Sequence, residues 1–144
     1  MENNYKGALQ RPIGSGFNAE STTLDVIKGI DLTGKTAIVT GGYAGIGIET
    51  VKALTSAGAH VIVPARDTEK AKKNLEGIPN VQVEAMDLMN PDSIDTFAQK
   101  FLASGKPLHL LINNAGIMWV PLQRDKRGFE SQLSTNYFGH FQLT

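Results

Sequence analysis

Thr40-Gly41-Gly42-Tyr43-Ala44-Gly45-Ile46-Gly47 is the stretch that decides how this chain folds. It follows an apolar run, Thr36-Ala37-Ile38-Val39, and opens a segment with apolar residues at helical spacing, Ile48, Val51 and Leu54. The order is a strand, a glycine-rich turn, then a helix. Such a turn leaves backbone N–H groups free at a helix N-terminus, where the helix dipole also favours negative charge. Gly41 and Gly45 lack a Cβ, so a pyrophosphate can approach the backbone closely, and Gly47 lets the helix pack tightly on the sheet. The implied ligand is a nucleotide cofactor; the plain alternative is an ordinary tight loop. A second pattern, Gly14-Ser15-Gly16-Phe17-Asn18-Ala19, also fits G-x-G-x-x-[GA]. Gln10-Arg11-Pro12-Ile13 before it does not read as a strand, so it is a decoy in an N-terminal arm.

Outward from the turn, the periods alternate. Residues 1–30 read as a Gly-, Asn- and Pro-rich arm ending in a short helix, opened by a capping box at Thr22 to Asp25 and stopped at Gly29. The first strand, Thr36 to Val39, is followed by a helix over Ile46 to Ser56, closed by Gly58. His60 to Val63 is a second strand, with Pro64 expected just past its last paired residue. Asp67 caps a helix carrying Ala71 and Leu75, and Val81, Val83 and Ala85 alternate as a third strand. Asn90-Pro91 opens a helix whose expected buried stripe is Ile94, Phe97, Ala98, Phe101 and Leu102. Leu108 to Ile112 is a fourth strand, and Phe129, Leu133, Tyr137 and Phe141 mark a last helix. Repeated strand–helix units imply right-handed crossovers. The expected fold is α/β, a Rossmann-type doubly wound parallel sheet in order 3-2-1-4, over residues 31–144. The ligand crevice then lies beyond the carboxyl ends of strands one and four.

Composition narrows the function classes. Fourteen basic and fourteen acidic side chains cancel, with no basic stripe, so nucleic-acid binding has no electrostatic support. No apolar run approaches the roughly 20 residues of a membrane helix. The absence of cysteine and of an apolar signal core leads to an expected cytoplasmic location. His60, His109 and His140 are scattered, which argues against a metal site; His60 and His109 read as strand residues.

The chemistry-bearing residues fall at the carboxyl ends of the strands. After strand two, an acidic residue would accept hydrogen bonds from a free ribose 2′-hydroxyl, as NAD requires. Here that position is Ala65, and Arg66 follows, whose guanidinium can pair with the 2′-phosphate of NADP. NADP is therefore the expected cofactor ahead of NAD; the alternative for Arg66 is a solvated surface arginine. Asp87-Leu88 follows strand three and Asn113-Asn114-Ala115-Gly116 follows strand four.

These four sites, in this order, resemble the short-chain dehydrogenase/reductase family from about Asp31 to Thr144, and the lead-in from Ser21 to Gly34 is most similar to the branch holding retinol dehydrogenases and WW-domain oxidoreductases. The resemblance implies hydride transfer between NADP(H) and a small carbonyl or alcohol. In the turn it implies cofactor contacts from Gly41, Tyr43, Ala44, Gly45, Ile46 and Gly47. Tyr43 departs from the Ser or Thr common there. Asp87 would accept from the adenine amino group while the Leu88 amide reads a ring nitrogen; for Asp87 a plain turn is the alternative. Asn113, Ala115 and Gly116 would line the cofactor. Asn136, in Ser134-Thr135-Asn136-Tyr137, matches the asparagine that holds a water in the family's proton relay; the alternative is a polar residue on a helix face.

The family's Tyr-x-x-x-Lys pair is not found: Tyr5, Tyr43 and Tyr137 are followed four residues on by Leu9, Gly47 and Phe141. The expectation is the cofactor-binding half of an oxidoreductase, which in full length could form a homo-oligomer. A non-enzymatic nucleotide-binding or regulatory module is the alternative. An isomerase or dehydratase of the extended branch is disfavoured by Ala44, where that branch prefers glycine.

Overall fold

The computed structural model describes residues 14–144; the first part of the expected arm, including the segment before the decoy glycines, lies outside the described residues. In chain order the elements are α1 (Thr23–Ile27), β1 (Thr36–Val39), α2 (Gly45–Ser56), β2 (His60–Ala65), α3 (Thr68–Asn74), β3 (Val81–Ala85), α4 (Pro91–Ala103) and β4 (Leu110–Ile112). A final helical run follows, made of α5 (Ser131–Leu133), a π-helical stretch (Ser134–Gly139) and α6 (His140–Leu143). The sheet has the order β3-β2-β1-β4, with every pair parallel.

Alternation along the central strands sets the layers, because successive side chains leave a strand on opposite faces. Ala37, Val39, Val61 and Val63 point to one face, where they join Val51 and Leu54 of α2 and Leu75 behind α3. Ile38 and Ile62 point to the other, where they join Met86, Leu88 and Ile94 and Phe97 of α4. Helices therefore cover both faces, as the doubly wound reading requires. The ends are capped by the residues that signalled them: Thr22 and Asp25 form a capping box, and the side chains of Asp67 and Asn90 accept from Lys70 N–H and Asp92 N–H.

Four details differ from the sequence reading. Pro64 is paired, opposite Glu84, and Ala65 continues the strand opposite Ala85. The direction of the backbone explains this. His60 N–H donates to the Lys35 carbonyl on the β1 side, and Val61 N–H to the Asn80 carbonyl on the β3 side. Even-numbered residues thus turn their N–H toward β1, so the donor missing at Pro64 faces a strand whose register with β2 already ended at Ile38 and Ile62. Second, β4 begins at Leu110, two residues later than expected. His109 instead brackets the start of β1, with its N–H donating to the Thr36 carbonyl and its ring Nδ1 accepting from Thr36 N–H. Third, Leu102 is 75 % exposed, because it lies at the margin of the Ile94–Phe97–Phe101 stripe. Fourth, Phe129 lies before the last helical run, which presents Leu133, Tyr137 and Phe141 to solvent and buries Ser131, Ser134, Gly139 and His140.

Candidate cofactor site

The glycine turn is held by β4 as much as by its own helix. Thr40 directly follows β1, fully buried, and its Oγ1 accepts from Asn114 N–H and Ala115 N–H, both at 2.9 Å. The Asn114 side-chain amide returns to the Thr40 carbonyl at 2.9 Å. Gly41 has φ +65°, and a Cβ there would stand 2.9 Å from Ala115 Cα. A Cβ on Gly47 would stand 2.3 Å from the Gly41 carbonyl oxygen and 2.6 Å from Asn114 Nδ2. These two glycines are required by the protein's own packing: Gly41 makes room for the turn after β4, and Gly47 seats α2 on the turn itself. Gly45 is different. Its φ is +54° and a Cβ would meet open space. Gly41 and Gly45 both line the cleft, and of the two only Gly45 would turn a Cβ into open space.

Helix α2 begins beside that opening. Its N-cap is Ala44, which makes no side-chain cap, and its first turn carries no acidic residue. Its leading N–H groups have no side-chain acceptor, which is the donor set an anion meets at a helix N-terminus. A cleft of about 450 Å³ opens here. Its walls include Gly45 and Ile46 from the turn, Arg66 and Lys70 beyond β2, Asp87 and Leu88 beyond β3, and Gly116 beyond β4. The donor set and the cationic rim fit a phosphorylated nucleotide.

Several side chains lie where the sequence expected them, with roles sharpened. Arg66 is exposed at the rim, next to the buried Ala65. Asp67 is taken by the α3 cap, leaving Arg66 and Lys70 as the cations of that wall. Tyr43 lines the cleft but also packs on the α2 core, with its carbonyl bonded by Asn74 Nδ2 at 3.0 Å. Asp87 Oδ1 accepts from Met89 N–H, so this aspartate closes a turn and lines the cleft at once. Ala44 and Ala115 also line the cleft. Asn113 is not among the lining residues; its side chain is exposed and donates to Thr144 Oγ1.

The wall after β4 is fixed by the final helical run. Asn136 holds Ile117 at two points, its Oδ1 accepting from Ile117 N–H at 2.9 Å and its Nδ2 donating to the Ile117 carbonyl at 2.8 Å. The run itself is anchored by Glu130, which caps α5 through Gln132 N–H and Leu133 N–H. Asp125 is the second anchor. Its carboxylate accepts from Arg127, from Ser134 Oγ, and from Arg127 and Phe129 N–H. Burial alone would push that carboxyl up, but the bonds from Ser134, Arg127 and the amides outweigh it and hold it well below the usual carboxylate range. The Arg127 guanidinium also lies over the rings of Phe129 and Phe138.

Sequence reasoning missed Lys70, Met86, Ile117 and Thr135 as lining residues, and His140 as the partner of Thr40. Lys70 had a usable signal, since it lies one helical turn beyond Arg66. His140 had none, because it is paired across 100 residues of chain. Among the described residues no cluster of His, Cys, Asp and Glu could hold a metal, and no helix is long and apolar enough to cross a membrane.

The short chain dehydrogenase family model matches residues 35–144. The chain belongs to the short-chain dehydrogenase family. It is 45% identical over 136 residues to the short-chain dehydrogenase TIC 32 B, chloroplastic, of Brassica napus, covering 90% of this chain and 42% of that protein. It is 45% identical over 121 residues to retinol dehydrogenase 11 of Mus musculus, covering 80% and 38%. This chain thus spans about two fifths of the length of these family members. A solved structure of Pseudomonas aeruginosa RhlG with NADP matches it with a TM-score of 0.67 at 30% identity, covering 78% of this chain and 46% of that one. A 3-ketoacyl-(acyl-carrier-protein) reductase from Brucella melitensis with NADH matches with a TM-score of 0.66 at 26% identity, covering 78% and 48%. The family resemblance expected from the turn, Asp87-Leu88 and Asn113 to Gly116 is therefore established, as is the 3-2-1-4 sheet.

Proposed function

We propose that the protein carrying this chain is an NADP-dependent oxidoreductase that moves a hydride between the nicotinamide and a carbonyl or alcohol, and that this chain holds the nucleotide. Family members among the solved structures carry NADP or NADH. The observation that favours NADP is the wall beyond β2: Ala65 supplies no carboxylate for a free ribose 2′-hydroxyl, and Arg66 with Lys70 presents two cations instead. Asn136 belongs to the proton relay by resemblance. Its side-chain amide is engaged by Ile117.

Fluorescence titration tests the cofactor preference. Arg66→Ala is expected to cost about 1.5–3 kcal/mol of NADPH binding, the range for hydrogen bonds to charged groups, with NADH binding almost unchanged. Equal losses for the two nucleotides would remove the 2′-phosphate role. The 144-residue chain holds no Tyr-x-x-x-Lys, so it is expected to show no turnover with a carbonyl panel. A missing general acid alone accounts for roughly 10²–10⁴ in rate. Clear NADPH oxidation by this chain would point to another proton donor within it.

A further inference from the structure

Three of the segments that line the cleft lie far apart in the chain: Thr40 and Gly41 after β1, Asn114 to Ile117 after β4, and Thr135 in the π-helical stretch. One buried side chain, His140, lies where they meet. Its Nε2 is 2.8 Å from Thr40 Oγ1, and its Nδ1 is 3.2 Å from the Asn136 carbonyl oxygen. We infer that His140 is a positioning residue for the cofactor site, held as the neutral Nδ1–H tautomer so that it pins the final helical run to the head of the glycine turn.

The tautomer follows from the partners. A carbonyl oxygen only accepts, so Nδ1 carries the hydrogen toward Asn136. In an unbroken α-helix the Asn136 carbonyl would take the His140 N–H. That N–H goes to the Tyr137 carbonyl, and the His140 ring serves Asn136 instead. At the other end Thr40 Oγ1 already accepts from two amides, Asn114 N–H and Ala115 N–H. What it has left to give is its own hydrogen, and the 2.8 Å contact to Nε2 is shorter than the 3.4 Å contact to the Ile112 carbonyl. The bonds therefore run in one direction: two amides after β4 to Thr40, Thr40 to His140, His140 to Asn136. A hydrogen on Nε2 would face a hydroxyl with no free lone pair. Gly139, next to His140, brings the run into contact with the loop after β3; a Cβ there would stand 2.4 Å from the Leu88 carbonyl oxygen. The ring is thus fixed in place as well as in tautomer.

Two measurements test this, and they fail separately. The first is a long-range ¹H–¹⁵N correlation spectrum of the labelled chain near neutral pH, with His140 assigned by the loss of its signals in His140→Gln. Protonated Nδ1 with bare Nε2 is the expected pattern. An Nε2–H pattern, or averaged signals of a ring exchanging freely, overturns the assignment. The second is NADPH affinity, which rests on the nucleotide reading above. His140→Phe fills the space without either bond and is expected to weaken binding about tenfold or more, the size that follows when buried hydrogen-bonding groups lose a partner. His140→Gln keeps an acceptor for Thr40 and is expected to stay within about threefold of the parent chain. Unchanged binding in His140→Phe, or a folded His140→Gln as weak as His140→Phe, overturns the positioning role. If the parent chain binds neither NADPH nor NADH, the nucleotide reading falls with the affinity effect, and the spectrum alone decides the pin. If His140→Phe does not fold, the spectrum and the His140→Gln titration decide it.

Discussion

β1 and β4 are neighbours in one sheet, yet they are held by different means. All four residues of β1 are buried, and α2 adds Val51 and Leu54 to the core above it. All three residues of β4 are only half-buried, and the final run beyond it shows Leu133, Tyr137 and Phe141 to solvent at 46 %, 58 % and 73 %. What fixes this second region is a set of polar anchors: Asp125 on Arg127 and Ser134, Glu130 on the start of α5, Asn136 on Ile117, His140 on Thr40, and Gln142 on Pro91 and Asp95 of α4. The turn side is specified by shape and apolar burial, which tolerate little change in volume. The β4 side is specified by hydrogen bonds, each of which is modest in net worth but costly to leave half-made.

The glycines give the sharpest way to break that contrast. Gly47→Val would drive a side chain into the Gly41 carbonyl, a backbone atom with nowhere to go. A destabilisation beyond about 4 kcal/mol is expected, the exceptional range for one substitution. Gly41→Val meets Ala115 Cα and is expected to lose stability and nucleotide binding together. Gly45→Val meets open space, so its stability cost is only the left-handed backbone, about 1–2 kcal/mol, while nucleotide binding is abolished. Thermal denaturation beside NADPH titration reads all three. A Gly47→Val chain that melts near the parent would mean that shape does not specify the turn side.

Next in size is Ile62→Ala, at the centre of the sheet, expected to cost about 2–5 kcal/mol in denaturant melts. A cost within 1 kcal/mol would mean that the α4 side of the core is loosely packed. Asp125→Asn probes the polar region in a different way, through pH. The folded carboxyl of Asp125 is held below its unfolded value of about 3.9, so its contribution to stability is fully present above that value. It is lost as pH falls through the lower folded value. The stability gap between parent and Asp125→Asn is therefore expected to be constant from pH 5 to 7, in terms of this group, and to close in acid. A gap that opens in acid would show that the anchor is not a carboxylate in the folded chain.

What could be read in advance follows the same division. The strands, caps and glycine turn obey rules that act within a few residues: the apolar run at Ala37 to Val39, Asp67 and Asn90 as caps, glycine at position 45 where the backbone takes φ +54°. The place of Arg66 on the cleft wall was legible because it directly follows the carboxyl end of the second strand. Gly41 against Ala115, and Thr40 against His140, depend on which segments the register brings together, and no local pattern contains that. Pro64 was misplaced for a similar reason: whether a missing N–H matters depends on which neighbour the residue faces. The final run misled through its spacing. Phe129, Leu133, Tyr137 and Phe141 recur every four residues, which drifts across an α-helix of 3.6 residues per turn. Wider π-helical turns are what Ser134–Gly139 adopt, so the unbroken interval of four was the available hint.

The smallest expected effect on stability falls on that exposed stripe. Leu133→Ser changes a side chain that is 46 % exposed, and surface changes usually stay within about 0.5 kcal/mol. Its effect on solution behaviour is expected to be larger than its effect on folding. Leu133, Tyr137 and Phe141 stand one turn apart on one side of the run, and the Tyr137 and Phe141 rings stack with centroids 6.3 Å apart, so the apolar surface is contiguous. β4 is an end strand of the sheet, and its outer edge is unpaired among the described residues. Contiguous apolar patches and open strand edges both promote association. Size-exclusion chromatography of the 144-residue chain is therefore expected to show associated species, and Leu133→Ser combined with Phe141→Ser to shift them toward the monomer without moving the melt. A parent chain that elutes as a single monomer removes the association. A double variant that melts well below the parent breaks the comparison itself, because the stripe would then be part of what holds the β4 side together.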